Sequence, residues 1–248
     1  MKTLTTLLSV LATLTVSSAM AQVTYTGTGN SLGSSAADGG AISSVVVNND
    51  ANNITFTVNT TAAQASYIFY SVELQIVGEA ANGSTSLVNP WGEHIGASSG
   101  LNALINTYGT GASILTYSAG SWTQNASGAY AAGGTGSTFA TITTPLTSLG
   151  LSAGNSFYFD VISTYASPSG QSAYGALDSV TGYPAESDNS YQPWLGSNYY
   201  DSANAGASGS TFGSLATLYN VTVVPEPVAC ALVGLGALVM GSMMRRKG

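Results

Sequence analysis

Apolar and polar residues alternate along several stretches of the chain. Ile54, Phe56 and Val58 are interleaved with Thr55 and Thr57, a period of two that puts one side of a strand in a core and the other in water. Tyr67 to Val77 continues the theme: Ile68, Tyr70, Val72, Leu74 and Ile76 share one face, and Ser71, Glu73 and Gln75 share the other, which is expected to face solvent. Phe157, Phe159 and Val161 oppose Tyr158, Asp160 and Ile162, so that strand is apolar on both sides except at Asp160. Tyr219, Val221 and Val223 alternate with Asn220 and Thr222. Weaker strands are predicted at Ile42 to Val47, Ser113 to Tyr117, Trp122 to Gln124 and Thr138 to Thr143.

Clusters such as Gly133-Gly134-Thr135-Gly136 and Ser167-Pro168-Ser169-Gly170 separate these segments and break structure. Many short strands with turn signals between them predict an all-β fold, an antiparallel β-sandwich of jelly-roll or Ig-like type with about eight to ten strands. Leu101, Leu104, Ile105 and Tyr108 have helical spacing after Ser98-Ser99, and predict one short helix across an end of the sandwich. The run Pro145 to Gly154, just before the Phe157 strand, resembles the approach to a core strand in carbohydrate-binding β-sandwiches over a short length.

Charge changes the picture most. Only 4 Lys+Arg stand against 11 Asp+Glu in 248 residues, and charged residues make up 6% of the chain, where about 25% is usual. Lys2, Arg245, Arg246 and Lys247 are the four bases, so residues 22 to 224 have none while keeping every acid except Glu226. Such a body cannot neutralise phosphates, which excludes nucleic acid as a partner. Cys230 is the single cysteine and lies in the C-terminal apolar run, so the body has no disulfide, thiolate zinc site or thiol nucleophile. His94 is the only histidine, which leaves no His-rich metal site. No cofactor is expected.

Both ends read as addresses. Lys2, an apolar stretch from Leu4 to Val16 and Ala19-Met20-Ala21 before Gln22 have the order of a secretory signal peptide, removed by signal peptidase after Ala21. Gln22 in place of Cys argues against a lipoprotein. At the other end Pro225-Glu226-Pro227 precedes an apolar run from Val228 to Met244. As a helix rising about 1.5 Å per residue it can just span a bilayer. Arg245, Arg246 and Lys247 would then remain cytoplasmic, with the body on the far side. The expected division is a signal peptide at 1–21, a body at 22–223 and a tail at 224–248.

The tail carries a resemblance. Pro225-Glu226-Pro227, a short apolar helix with Leu232, Leu235-Gly236 and Leu238, and terminal Arg245-Arg246-Lys247 resemble the PEP-CTERM sorting signal. The resemblance covers about the last 24 residues and implies processing by an exosortase, a membrane-embedded cysteine transpeptidase of Gram-negative bacteria, with delivery to the surface or an exopolysaccharide matrix. It implies nothing about the body.

Three groups of body residues could carry chemistry. Glu73 and Asp160 lie inside predicted strands, and a carboxyl pair is what glycoside hydrolysis needs. With no further motif the plainer expectation is that Glu73 faces water and Asp160 is hydrogen-bonded at a sheet edge. Glu93-His94 follows Asn89-Pro90-Trp91-Gly92 in a predicted loop, and the chain lacks the alternating α/β pattern in which a nucleophile elbow is presented. From Tyr174 to Asp201 aromatic and acidic residues concentrate without strand alternation. Tyr183, Asp188, Tyr191, Trp194, Tyr199 and Asp201 form the ligand-site candidate there, since flat rings suit sugar C–H faces and carboxylates bond hydroxyls. The alternative is a long loop whose aromatics cover the sandwich.

Asn-x-Ser/Thr sequons occur at about their chance frequency and carry no information. The expectation is therefore a non-enzymatic, exported cell-surface or matrix protein, sorted by exosortase and partnered by extracellular polysaccharide. A secreted glycan-binding module is the alternative, and a glycoside hydrolase or lyase comes third.

Overall fold

The alternating segments become strands that pair into one antiparallel sheet. The computed structural model describes residues 21–27, 38–85, 90, 100–108, 111–132, 136–166, 173–181, 212–214 and 216–223. Within these, β1 is Ala21–Thr26, β2 Ile42–Asn49, β3 Asn53–Thr60, β4 Ile68–Ile76, β5 Ala103–Tyr108, β6 Gly111–Ser118, β7 Ser121–Ala132, β8 Phe139–Pro145, β9 Ser156–Ala166, β10 Ala173–Ser179 and β11 Thr217–Asn220. They pair in the order β1-β2-β3-β8-β7-β6-β5-β4-β9-β10, with β11 also on β9. Because β4 occupies one edge of β9, β10 and β11 follow one another along the other.

The strands predicted from alternation are present, except that the last one ends at Asn220 and leaves Val221 and Val223 outside it. Among the described residues eleven strands form rather than eight to ten, because β1, β5 and β10 join them. β10 places Tyr174 and Asp178 on a strand instead of in the loop expected from Tyr174 onward; its two register shifts against β9 blur the period that would have marked it.

The helix expected at Leu101 to Tyr108 is instead β5. Ala103 and Ile105 point into the core, while Leu104 and Asn106 on the opposite face are also buried. A strand covered on both sides loses its alternation, and its apolar residues then fall at spacings that mimic a helix.

The sheet must curl back on itself. Phe56 of β3 meets Phe157 and Phe159 of β9 with ring centroids 6.4 and 5.7 Å apart, although β3 and β9 are distant in the strand order. One apolar core results, joining Val45, Val47, Ile54 and Val58 to Tyr70, Val72, Leu74, Ile105, Ile114 and Val161. Each such side chain contributes about 1.5–3 kcal/mol on leaving water, which makes this core the main source of stability. The Pro145 to Gly154 run does lead into the core strand β9: Leu146, Leu149 and Leu151 are buried, and Gly150 closes the 3-10 turn at φ 73°.

The β6–β7 hairpin turns through Ala119 (φ 49°) and Gly120 (φ 83°) between the paired Ser118 and Ser121. Two positive φ values suit a type I′ turn, in which Asn-Gly is the preferred pair and an alanine Cβ is strained. Ala119→Asn is expected to stabilise the protein by about 0.5–1 kcal/mol, read as a higher urea midpoint, and Ala119→Val to lower it.

Among the described residues no helix is long and apolar enough to cross a membrane. The expected span 228–244 lies outside them, as does the expected leader 1–21 except for Ala21, which opens β1.

Candidate functional site

The polar face of β4 does not meet water as alternation suggested. Ser71, Glu73 and Gln75 are all buried, so this side of the sheet has a cover of its own. Part of that cover is the 3-10 turn Phe212–Ser214, which lays Phe212 on Leu101 with Trp122, Tyr158 and Ala216 packed around them. Gly100 and Gly213 lie so close to the Gln75 carboxamide that a Cβ on either would collide with it. Ser71 Oγ donates to Asn106 Oδ1.

Glu73 and Asp160 are directly opposite in the β4–β9 ladder, a placement that holds Cβ atoms about 4.5–5.5 Å apart. Both side chains are at least 98% removed from water, with exposures of 1% and 2%. The expectation that Glu73 faces solvent is therefore corrected. Its strand is central, and both faces are covered.

Asp160 is hydrogen-bonded, as expected, but at a break in the edge of β9 rather than at an open sheet margin. β10 pairs with β9 down to Ile162 and β11 takes over at Phe159. The carboxylate fills the interval. Oδ1 accepts the Val161 N–H at 2.8 Å and the Thr181 N–H at 3.3 Å, and Oδ2 accepts the Thr181 hydroxyl at 2.8 Å. Burial pushes its pKa up to about 6, against the lowering effect of the hydrogen bonds from Thr181, Ser179 and Val161. A raised pKa is also the signature of a general acid, but here both oxygens are engaged by Val161 and Thr181. Asp160 is thus held by donors of the fold itself.

A second acid works at the seam between the two ends of the sheet. Asp178 of β10, fully buried, accepts the Ile42 N–H of β2 at 2.5 Å and the Ser179 N–H at 2.9 Å. Tyr25 of β1 sets its ring edge-on to Phe159 at 5.0 Å and donates its hydroxyl to the Leu218 carbonyl of β11 at 2.8 Å. Burial raises the Tyr25 pKa, so the phenol stays protonated as a donor. Asn49 completes the closure at the far end of β2. Its Oδ1 accepts from Tyr219 Oη at 2.9 Å and from the Thr222 N–H and hydroxyl at 3.1 Å each, while its Nδ2 donates to the Asp50 and Thr222 carbonyls.

A cleft of about 480 Å³ opens in this seam, lined by Thr24, Tyr25 and Thr26 of β1, by Val180 and Thr181, and by Ala216 and Thr217 at the start of β11. Thr181 joins it to Asp160 behind. No charged side chain is among these residues.

The ligand-site candidates Tyr183, Asp188, Tyr191, Trp194, Tyr199 and Asp201 lie outside the described residues, as do Trp91, Glu93 and His94 and the tail residues Pro225, Glu226, Pro227, Arg245, Arg246 and Lys247. Sequence reasoning found Glu73 and Asp160 but not their register, set Asp178 in a ligand-binding loop rather than in the seam, and missed Tyr25, Asn49 and Thr181. The alternation of Gln22 to Thr26 is a signal for β1. Nothing in the sequence joins Asp178 to Ile42 across 136 positions. Among the described residues no group of three or more His, Cys, Asp or Glu is arranged to hold a metal ion.

Comparison of the chain with protein-family models, with curated proteins and with solved structures finds no match.

Proposed function

We propose that the chain is an exported, non-enzymatic cell-surface or extracellular-matrix protein of a Gram-negative bacterium, associated with exopolysaccharide. In this reading a signal peptide at 1–21 directs export. The tail at 224–248 holds the protein in the inner membrane until an exosortase-type enzyme acts at the Pro225-Glu226-Pro227 region, and the body is a β-sandwich of jelly-roll or Ig-like type. The observation that carries it is the segregation of charge: all Lys and Arg lie beyond an apolar run at one end or the other, and residues 22 to 224 have none.

Two further facts support it. One of the chain's two compact units runs from Ala21 to Thr222, close to the body expected at 22–223. Two of its described carboxylates, Asp160 and Asp178, are taken up by internal donors, which favours a scaffold over a glycosidase. An acidic surface without cations suits hydration within a polysaccharide and repels other acidic macromolecules.

Intact mass of the protein from cell and medium fractions tests the proposal. Loss of residues 1 to 21 and of everything beyond the Pro225 region is expected. Changing Pro225, Glu226 and Pro227 together to Ala is expected to leave the tail uncut in the membrane fraction. A wild-type tail that stays intact in the inner membrane would mean a permanent anchor instead.

A further inference from the structure

The cleft at the seam has walls of an unusual kind, because two strand edges face it. Among the described residues β1 has only β2 as a strand partner and β11 only β9, so each turns an edge with no ladder toward the gap. Half the backbone N–H and C=O groups of such an edge lack a ladder partner and are open to an outside donor or acceptor. Thr24, Thr26, Thr181 and Thr217 add side-chain hydroxyls, and Tyr25 adds a half-buried ring. The volume of about 480 Å³ lies within the range that encloses small ligands.

The chemistry of the lining narrows the ligand. An anion would find no counter-charge, since no Lys or Arg occurs anywhere from 22 to 224. A metal cation would find no carboxylate among the lining residues, and Asp160 behind Thr181 has its oxygens occupied. An apolar ligand would strand hydroxyls and backbone groups without partners. A strand-adding peptide would need a free run of β11, but that strand has four residues and its Leu218 carbonyl is already taken by the Tyr25 hydroxyl. A sugar hydroxyl both donates and accepts, which matches a wall where donors and acceptors are mixed.

We propose that the cleft between β1 and β11 binds a neutral polysaccharide chain through the Thr24, Thr26, Thr181 and Thr217 hydroxyls and the two strand edges. This site deepens the matrix reading and rests on it only for the presence of the polymer at the protein's destination. The residues named for it do not include the 183–201 candidate, which lies outside the described residues. Thr181, fixed by Asp160, forms the rigid floor, and Thr24 and Thr26 form the accessible rim.

Binding is tested with the purified full chain in mild detergent, titrated calorimetrically with cellohexaose, maltohexaose, xylohexaose and mannohexaose, and with alginate and an alternating Thr-Val octapeptide as anionic and strand-adding probes. Saturable binding of at least one neutral oligosaccharide is expected. Thr24→Val with Thr26→Val is expected to weaken it about tenfold, the loss of two hydrogen-bonding groups on side chains of unchanged shape. Thr217→Val on the opposite wall gives an independent loss. The proposal is overturned if neutral oligosaccharides do not bind at millimolar concentration, if they bind equally to folded variants from both walls, or if only alginate or the peptide binds. Titration of purified protein is independent of export, so failure here leaves the processing result standing, and a tail found uncut in cells leaves the titration standing.

Discussion

Replacing Asn49 by alanine is expected to lower the unfolding free energy by about 3–5 kcal/mol, among the largest effects of any single substitution. The side chain is fully buried and works at both ends. Its carbonyl oxygen serves Tyr219 Oη and two donors of Thr222, and its amide nitrogen serves the Asp50 and Thr222 carbonyls. Alanine would strand several of these groups away from water, at about 1–3 kcal/mol each before relaxation. Tyr219→Phe removes a single bond of the set and is expected to cost about 1 kcal/mol.

Urea denaturation of the two variants side by side measures the difference. Amide exchange at Thr222 reads the local event, because its N–H loses its acceptor only in Asn49→Ala. If the alanine variant unfolds within about 1 kcal/mol of the parent, Asn49 does not hold the seam.

Acid is expected to stabilise this protein where it destabilises most. Asp160 has a folded pKa of about 6 against an ordinary carboxylate value of 3.8, and burial is the dominant cause. A folded pKa above the unfolded one means that the contribution is complete below pH about 4, declines as pH rises through about 6 and is constant above it. A shift of that size corresponds to about 3 kcal/mol between the two plateaus, at 1.36 kcal/mol per pKa unit. The groups that face this carboxylate, Thr181, Ser179 and the Val161 N–H, do not titrate in the range, and its cross-strand neighbour is the acid Glu73.

Asp50 works in the opposite sense. Burial alone would raise its pKa, but the Asn52 and Asn53 hydrogen bonds prevail and hold it below the usual range. Its stabilisation is therefore lost as pH falls. That carboxylate is close to the surface, and the Asp160 effect dominates. Asp160→Asn is expected to flatten the profile between pH 4 and 7, with urea midpoints compared at the two values. A parent protein with the same midpoint at both would mean that Asp160 is ionised at no cost.

The carboxyl pair shows how far a sequence can be read. Alternation placed Glu73 and Asp160 on strands, and both are there. It could not say that they face each other, because register between β4 and β9 depends on how the sheet is ordered and not on either strand alone. Glu73 was misplaced into solvent for a related reason: period two reports which face is less apolar, not whether something lies over it. In β5 the same cover turned a strand into an apparent helix.

Local chemistry, then, was written into the chain: strands from interleaved Ile, Phe, Val and Thr, breaks from Gly and Pro, and a body free of cations between two apolar ends. These depend on neighbours a few positions apart, where geometry is fixed by the backbone. The seam was decided by tertiary structure alone. Ile42 meets Asp178, Tyr25 meets Leu218 and Asn49 meets Thr222 over separations of 136, 193 and 173 residues. Such partners are chosen when a curling sheet brings its ends together and buried polar groups must find donors and acceptors there. No local pattern records that choice, and the cleft between the two edges exists because of it.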